Sequence, residues 1–404
     1  MKRKAVLIVC DGLGDLQING KTPLQMAKKP NLDRMVSHGS SGLMYSIGPG
    51  IIPGSDTSHL AILGYDPKQY YSGRGTFEAL GVGIKLEKND IAFRCNFGTV
   101  DRKFRILDRR AGRIKDEGKI LEKEIDRMKI EDVTIIFKAS VEHRAALVLR
   151  GPGLSRNISD VDPHEVDKLN EAKPLDGSSE ARKTARIINL FTKKSYEILS
   201  KHWINKKREA EGKMPANIIL TRGPGIYEPV ISIKEKFGFS SACIAGGALY
   251  KGIAKYLGME ILEVKGATGR YDSDLVAKGT AAVQALKKHE FVFIHVKGTD
   301  NAGHDGNLKE KVRMIEKVDK MIGVLIRKSN SIIALTSDHS TPVSLKAHSG
   351  HAVPIVLYGD VVRRDGIKSF DEISCAKGSL GILRGLDVMP ILTSLMGYSK
   401  MYGS

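Results

Sequence analysis

The sequence predicts an α/β fold with a mainly parallel sheet, helices on both faces, and a smaller inserted α+β domain. Three observations carry this. First, short runs near the chain ends are continuously apolar: Ala5–Cys10 (AVLIVC), Phe291–Val296 (FVFIHV), Ile332–Thr336 (IIALT) and Pro354–Tyr358 (PIVLY). Runs without polar alternation are the mark of strands buried on both faces. Second, an amphipathic segment separates two of them. Across residues 312–328, Val312, Ile315, Val318, Ile322 and Leu325 recur every three or four positions and form one apolar helix face. Third, the middle of the chain differs in texture. Residues 101–213 hold 27 Lys and Arg against 20 Asp and Glu, with fewer fully apolar runs.

Taken in chain order, the basic opening Met1-Lys-Arg-Lys ahead of AVLIVC mimics a signal peptide. The apolar run stops at Asp11 and no small-residue cleavage site follows, so a strand and a cytoplasmic protein are expected. A Gly/Pro loop from Gly48 to Gly54 then runs into Ser55 and a helical stretch. In the middle, residues 133–140 (VTIIFKAS) and 144–151 (RAALVLRG) read as a strand pair of a second domain. Residues 155–179 are polar and turn-rich, and residues 180–212 read as one long basic helix around Trp203. The expected division is a discontinuous core of residues 1–70 and 225–404, with residues 71–224 inserted.

Length and composition exclude several classes. A chain of 404 residues can bury a large core in two or three domains. With 41% hydrophobic and 27% charged residues it is neither collagen-like nor wholly disordered. No apolar run approaches the roughly 20 residues of a spanning helix. The four cysteines, Cys10, Cys95, Cys243 and Cys375, form no C-x-x-C pair, so reduced buried thiols are expected, not a disulfide scaffold or a cysteine–zinc site. A net charge of +18 favours anionic partners, and charge alone leaves nucleic acid and phosphorylated metabolites equally open. No nucleic-acid motif is present. The absence of a Walker A motif, or of G-x-G-x-x-G after a strand, argues against a nucleotide cofactor.

Polar residues follow the strand ends: Asp11-Gly12 after the first, Lys297 to Asp305 after the second, Ser337-Asp338-His339 after the third. Ligands of open parallel sheets bind outside the carboxyl ends of strands. Five of the eleven histidines, His295, His304, His339, His348 and His351, fall within 57 residues. Mixed Asp and His donors suit zinc or manganese. Asp300 and His304 are one helical turn apart. His295 lies inside a strand and reads as structural, and His351 has no assigned role. Acidic ligands at this edge would repel DNA, which tips the partner toward a small phosphorylated molecule and away from nucleic acid or membrane. Ser55 reads either as an N-cap or as a nucleophile at a helix N-terminus, where free N–H groups favour an anion. A bound metal ion would activate its hydroxyl. Guanidinium forks suited to carboxylate or phosphate come from Arg74, Arg94, Arg109, Arg110, Arg113, Arg144 and Arg222, with Lys251 a further cation.

Together CDGLGD (10–15), TPLQMAKKPNLD (22–33), PGSDTSHLAILGYDP (53–67), HVKGTDNAGHDGN (295–307), TSDHSTP (336–342) and AHSGHAVP (347–354) resemble the archaeal-type, cofactor-independent phosphoglycerate mutases of the alkaline phosphatase superfamily. They span nearly the whole chain. The resemblance implies an alkaline-phosphatase-like core interrupted by a lid domain that excludes water. It implies interconversion of 3-phosphoglycerate and 2-phosphoglycerate without 2,3-bisphosphoglycerate, through a phosphoserine on Ser55. Asp11, Ser55, Asp338 and His339 would hold one divalent ion, and Asp300, His304 and His348 a second. Manganese is the first expectation, with zinc, magnesium or cobalt compatible. Arg94, Arg109, Arg110, Arg144, Arg222 and Lys251 would contact the substrate's carboxylate and phosphate. The family more usually has Asp-Pro where this chain has His351-Ala352. The alternative within the superfamily is a metal-dependent phosphomonoesterase or phosphosugar mutase. A homo-oligomer is compatible with the sequence, which does not set the oligomeric state.

Overall fold

Ala5–Cys10 is buried at every position, and so are the two strands beside it. It pairs in parallel with Phe291–Val296 on one side and Ile332–Thr336 on the other. In the computed structural model, which describes residues 2–401 apart from Asp167, together with Gly403, these three form the middle of an eight-stranded sheet. Its order is Glu260–Ile261, Ser241–Ile244, Phe291–Val296, Ala5–Cys10, Ile332–Thr336, Val353–Tyr358, Ser40–Tyr45, Gly381–Arg384. Val353–Tyr358 runs antiparallel to both neighbours. The other pairings in this sheet are parallel.

The chain divides into two compact units: Met1–Tyr71 with Val230–Ser404, and Ser72–Pro229. In the first unit, the amphipathic segment forms the helix Leu308–Lys328. It starts before the apolar face does, because the Asn307 side chain caps it by accepting from the Glu310 N–H. Met314, Ile315, Val318, Ile322 and Leu325 bury against strand residues such as Val6, Ile8, Val292 and Ile333. Lys311 on this helix is fully buried. Its ammonium pairs with Asp15 at 2.7 Å and donates to the carbonyls of Gly14 (3.1 Å) and Thr341 (2.8 Å). An ion pair out of water gains little net stability, but it ties together two loops that carry site residues.

The second unit has its own antiparallel sheet. Ile91–Val100 lies between Arg144–Arg150 and Ile218–Ile226, and Val133–Ala139 pairs with Arg144–Arg150. Alternate sheet residues Phe93, Cys95, Phe97, Phe137 and Leu147 meet Ala181, Ile187, Ile188 and Phe191 of the helix Ser179–Leu199. The long basic helix expected over 180–212 is two helices, Ser179–Leu199 and Trp203–Ala210. His202 takes an extended backbone, and its imidazole accepts from the Ile204 N–H and caps a new helix. All four cysteines are buried and unbridged. Among the described residues, no helix is long and apolar enough to cross a membrane.

Candidate active site

Strand register brings the site together. Cys10 stands opposite Val296, and Val9 opposite Thr336. The next residues, Asp11, Lys297 and Ser337-Asp338, therefore leave the sheet at one edge. Gly12 makes the turn with φ +61° and donates its N–H to Asp338 Oδ1 at 3.0 Å. A Cβ at Gly12 would lie 2.5 Å from Thr341 Oγ1 and 2.8 Å from the Asp300 Cα, so a larger residue would push the loops apart. The reversed direction of Val353–Tyr358 has a use here. An antiparallel strand begins where its neighbours end, so His348, just before it, returns to the same edge. Asp300 and His304 share one face of the helix Gly298–His304.

Ser55 is the first residue of the helix Ser55–Ile62. Gly54 occupies the cap position and, among the described residues, no side chain caps the helix. Of the two readings of Ser55, the N-cap is the one the structure does not realise, and its hydroxyl is left for the site. Ser55 Oγ lies 3.2 Å from His339 Nε2 and the residue is 6% exposed. One turn on, His59 Nδ1 contacts the Ser55 carbonyl at 2.6 Å and lies 3.6 Å from Asp338 Oδ2.

Two donor groups share His339, the partner of this hydroxyl. Asp11, Asp338 and His339 offer ligand atoms all within 4.8 Å of one another, as do Asp300, His339 and His348. His304 stands beside the second group, with Nε2 3.4 Å from Asp300 Oδ1. His339 reaches both groups. Asp11 Oδ1 and Asp338 Oδ2 are buried and have no hydrogen-bond partner among the described residues. Bare carboxylate oxygens out of water are costly unless a cation completes them. Asp338 stays ionised in this setting. Burial and Asp11 work against its charge, while His339 and His59 outweigh them and hold its pKa below the usual range. For His339, burial opposes the imidazolium, but Asp338 and Asp11 prevail and raise its pKa.

The imidazoles are aimed for ligation. Nδ1 of His348 meets the Pro53 carbonyl at 3.0 Å, and Nδ1 of His304 meets the Lys346 carbonyl at 3.0 Å. A carbonyl only accepts, so Nδ1 carries the proton and Nε2 keeps its lone pair for a metal. Thr341 donates its hydroxyl proton to Asp300 Oδ1 and can accept from His339 Nδ1 at 3.1 Å. The donor set thus fits divalent cations at both groups.

A second charged cluster lies on the sheet of the second unit. Arg94 stands opposite Arg222, and Asn96 opposite Arg144. Alternate residues share a face, so these side chains converge. Glu78 lies 3.6 Å from the Nε atoms of both Arg74 and Arg94. Burial pulls the Arg94 guanidinium down to about 9; Glu78 opposes this, and Arg74, Arg222 and Arg144 add to it. His143 beside them is driven down to about 3, first by burial and then by Arg144, Arg110, Arg94 and Arg113, so it is neutral. Cations crowded against one glutamate make a site for an anion.

A family model described as 2,3-bisphosphoglycerate-independent phosphoglycerate mutase matches residues 37–205. A Methanococcus maripaludis protein of that name is 50% identical over 99% of this chain and 100% of its own length. The chain belongs to the 2,3-bisphosphoglycerate-independent phosphoglycerate mutase family. Its members are isomerases, and its fold recurs in solved structures. A cofactor-independent phosphoglycerate mutase from Thermoplasma acidophilum is 37% identical, with a TM-score of 0.71 over 98% of this chain and all of that one. A Pyrococcus horikoshii protein is 39% identical, with a TM-score of 0.87 over the full length of both.

In this family member, Asp11, Ser55, Asp300, His304, Asp338, His339 and His348 gather at one edge of the sheet. Arg94, Arg144 and Arg222 gather in the second unit, where Arg110 contributes charge near His143. Two expected substrate contacts are each hydrogen-bonded to both oxygens of one carboxylate, and Arg94 and Arg222 have looser pairings at 3.6 Å with Glu78 and Asp162. Arg109 is clamped on both oxygens of Asp162 at 2.9 and 2.8 Å, and Lys251 lies 2.7 Å from both oxygens of Glu263. His351 is exposed and bonds Ser349. Sequence reasoning missed four residues. Lys297 Nζ bridges Asp11 (2.9 Å) and Asp300 (2.6 Å), and its place after a strand was the available signal. His295, read as structural, reaches Asp11 Oδ2 at 3.1 Å. Tyr250 donates to the same oxygen. His59, four residues after Ser55, also touches the site.

Proposed function

We propose that this protein interconverts 3-phosphoglycerate and 2-phosphoglycerate without 2,3-bisphosphoglycerate, through a phosphoserine on Ser55. The observation that carries this is a serine hydroxyl 3.2 Å from His339 Nε2, the imidazole shared by two donor groups, the first of which holds two bare buried carboxylate oxygens, Asp11 Oδ1 and Asp338 Oδ2. Asp11, Ser55, Asp338 and His339 would hold one cation; Asp300, His304 and His348 would hold the other, with His339 in reach of both. Two divalent ions, manganese first, with zinc, magnesium or cobalt compatible, would supply a lowered hydroxyl pKa and charge on the phosphoryl oxygens.

Ser55 Oγ forms the new bond to phosphorus as the substrate's ester C–O–P oxygen leaves, and the serine proton passes to that oxygen. The glycerate then presents its other hydroxyl, the phosphoryl group moves to it, and Ser55 recovers a proton. Nothing is consumed. The N-terminus of the Ser55–Ile62 helix favours the negative charge on Ser55 throughout. Arg94, Arg144, Arg222 and Arg110 hold the substrate's anionic groups. Arg109 and Lys251 join them only by exchanging Asp162 and Glu263 for substrate. Four buried free thiols agree with a reducing cytoplasm.

The test is phosphorus NMR of the protein with 3-phosphoglycerate and manganese. The expected product is 2-phosphoglycerate, with no response to added 2,3-bisphosphoglycerate. Inorganic phosphate as the main product would instead establish the phosphomonoesterase. A second measurement addresses the arginines. Arg94→Met is expected to raise KM about 10- to 100-fold, the worth of a charge-assisted hydrogen bond. Thermal stability should not fall, because a crowded cation is removed. An unchanged KM would take Arg94 out of substrate binding.

A further inference from the structure

We propose that Tyr250, His295 and Lys297 form a clamp on Asp11 that leaves it a one-oxygen ligand, and that Tyr250 is a positioning residue for the cation held there. This rests on the metal reading above. Three donors from different parts of the fold converge on Asp11 Oδ2. Tyr250 comes from the helix Ala248–Tyr256, His295 from the Phe291–Val296 strand, and Lys297 from just beyond that strand. Against an ionised carboxylate, all three present a proton, so Oδ2 has no capacity left for a metal. Oδ1 receives no hydrogen bond from the described residues and lies 3.5 Å from His339 Nε2. The carboxylate is thereby held with one oxygen turned to the other ligands and one turned away.

The clamp is itself braced. The Tyr250 and His295 rings stack with centroids 3.3 Å apart at 19°. His59 packs against both, at 4.9 and 5.1 Å. The buried Lys278 ammonium donates to the His295 carbonyl at 2.8 Å and fixes the end of that strand. A carboxylate free to rotate could chelate a cation with both oxygens and draw it away from Ser55. One locked on Oδ2 fixes the cation's distance from His339 and Ser55. Partners that orient a ligand in this way typically matter about 10- to 100-fold in metal affinity.

The experiment titrates the full-length protein with Mn²⁺ alone, by calorimetry and by electron paramagnetic resonance. Asp11→Asn marks which binding step belongs to the Asp11 group. Tyr250→Phe, which keeps the ring stack and loses only the hydroxyl, is expected to weaken that step about 10- to 100-fold. The other step should stay within about twofold, the Mn²⁺ spectrum of the weakened site should broaden, and kcat should fall more than KM. Metal-free melting of Tyr250→Phe checks that the fold is kept. Two steps at wild-type affinity with an unchanged spectrum would overturn the clamp, and so would an equal loss at both steps. Wild-type protein that binds no Mn²⁺ would instead reject the underlying metal reading.

Discussion

Replacing Ser55 by alanine is expected to cut mutase turnover by about 10,000-fold or more, the scale seen when a covalent nucleophile is removed. The protein should stay folded. The Ser55 hydroxyl makes no cap bond, since Gly54 holds that position, and alanine is the better helix former. Melting should therefore shift by no more than about 1 kcal/mol equivalent. Cation binding at the Asp300 group should persist, because Asp300, His304 and His348 do not touch Ser55 in the contacts that orient them. The measurement is a coupled assay alongside acid-quenched peptide mapping. Wild-type protein should show phosphate on the peptide containing Ser55, and the variant none. Turnover near the wild-type rate in the variant would remove the phosphoserine route while leaving the metal reading standing.

The parts of this site legible in the sequence were those governed by chain-local rules. Three continuously apolar strands announce buried parallel neighbours, so the polar residues that follow them, Asp11, Asp300 and Asp338, point to one edge. His348 lay within reach of that logic only through the crowding of histidines. What returns it to the edge is the antiparallel direction of Val353–Tyr358, which no local pattern encodes. Ser241–Ile244 is a strand of four residues, too short for a periodicity to show. Tyr250 sits at a buried position of an amphipathic helix, where a tyrosine looks like any core residue until its hydroxyl finds Asp11. His295 is a strand residue by pattern and an Asp11 partner by register. A carboxylate and an imidazole 284 residues apart in sequence meet only because two strands pair. The break between the two basic helices was hidden because Ser200 to His202 contains neither proline nor glycine; His202 ends one helix by capping the next.

Stripping divalent cations with a chelator is expected to take mutase turnover to background, and readdition of Mn²⁺ to restore it. The argument is electrostatic. Asp11 and Asp338 are fully buried and adjacent, each with an oxygen that accepts no hydrogen bond among the described residues, and only His339 and His59 stand near the one on Asp338. Lys297 offsets part of that charge from the Oδ2 side of Asp11, while the bare oxygens lie on the His339 side. Without a cation the serine keeps its ordinary high pKa, and the phosphoryl oxygens meet uncompensated carboxylates. Stability should follow activity. A cation at a hundredfold excess over its Kd stabilises the folded state by about 2.7 kcal/mol per site, so the chelated protein should melt several degrees lower. Asp338→Asn should lose most of this metal-dependent gain, because it removes a ligand charge and fills the bare position with an amide. A chelated sample with full turnover would refute the two-cation reading. Loss of turnover alone does not separate a mutase from a phosphomonoesterase, since both would use the same edge of the sheet. That separation comes from the fate of the phosphate: held on Ser55 and returned to glycerate in one case, released to water in the other.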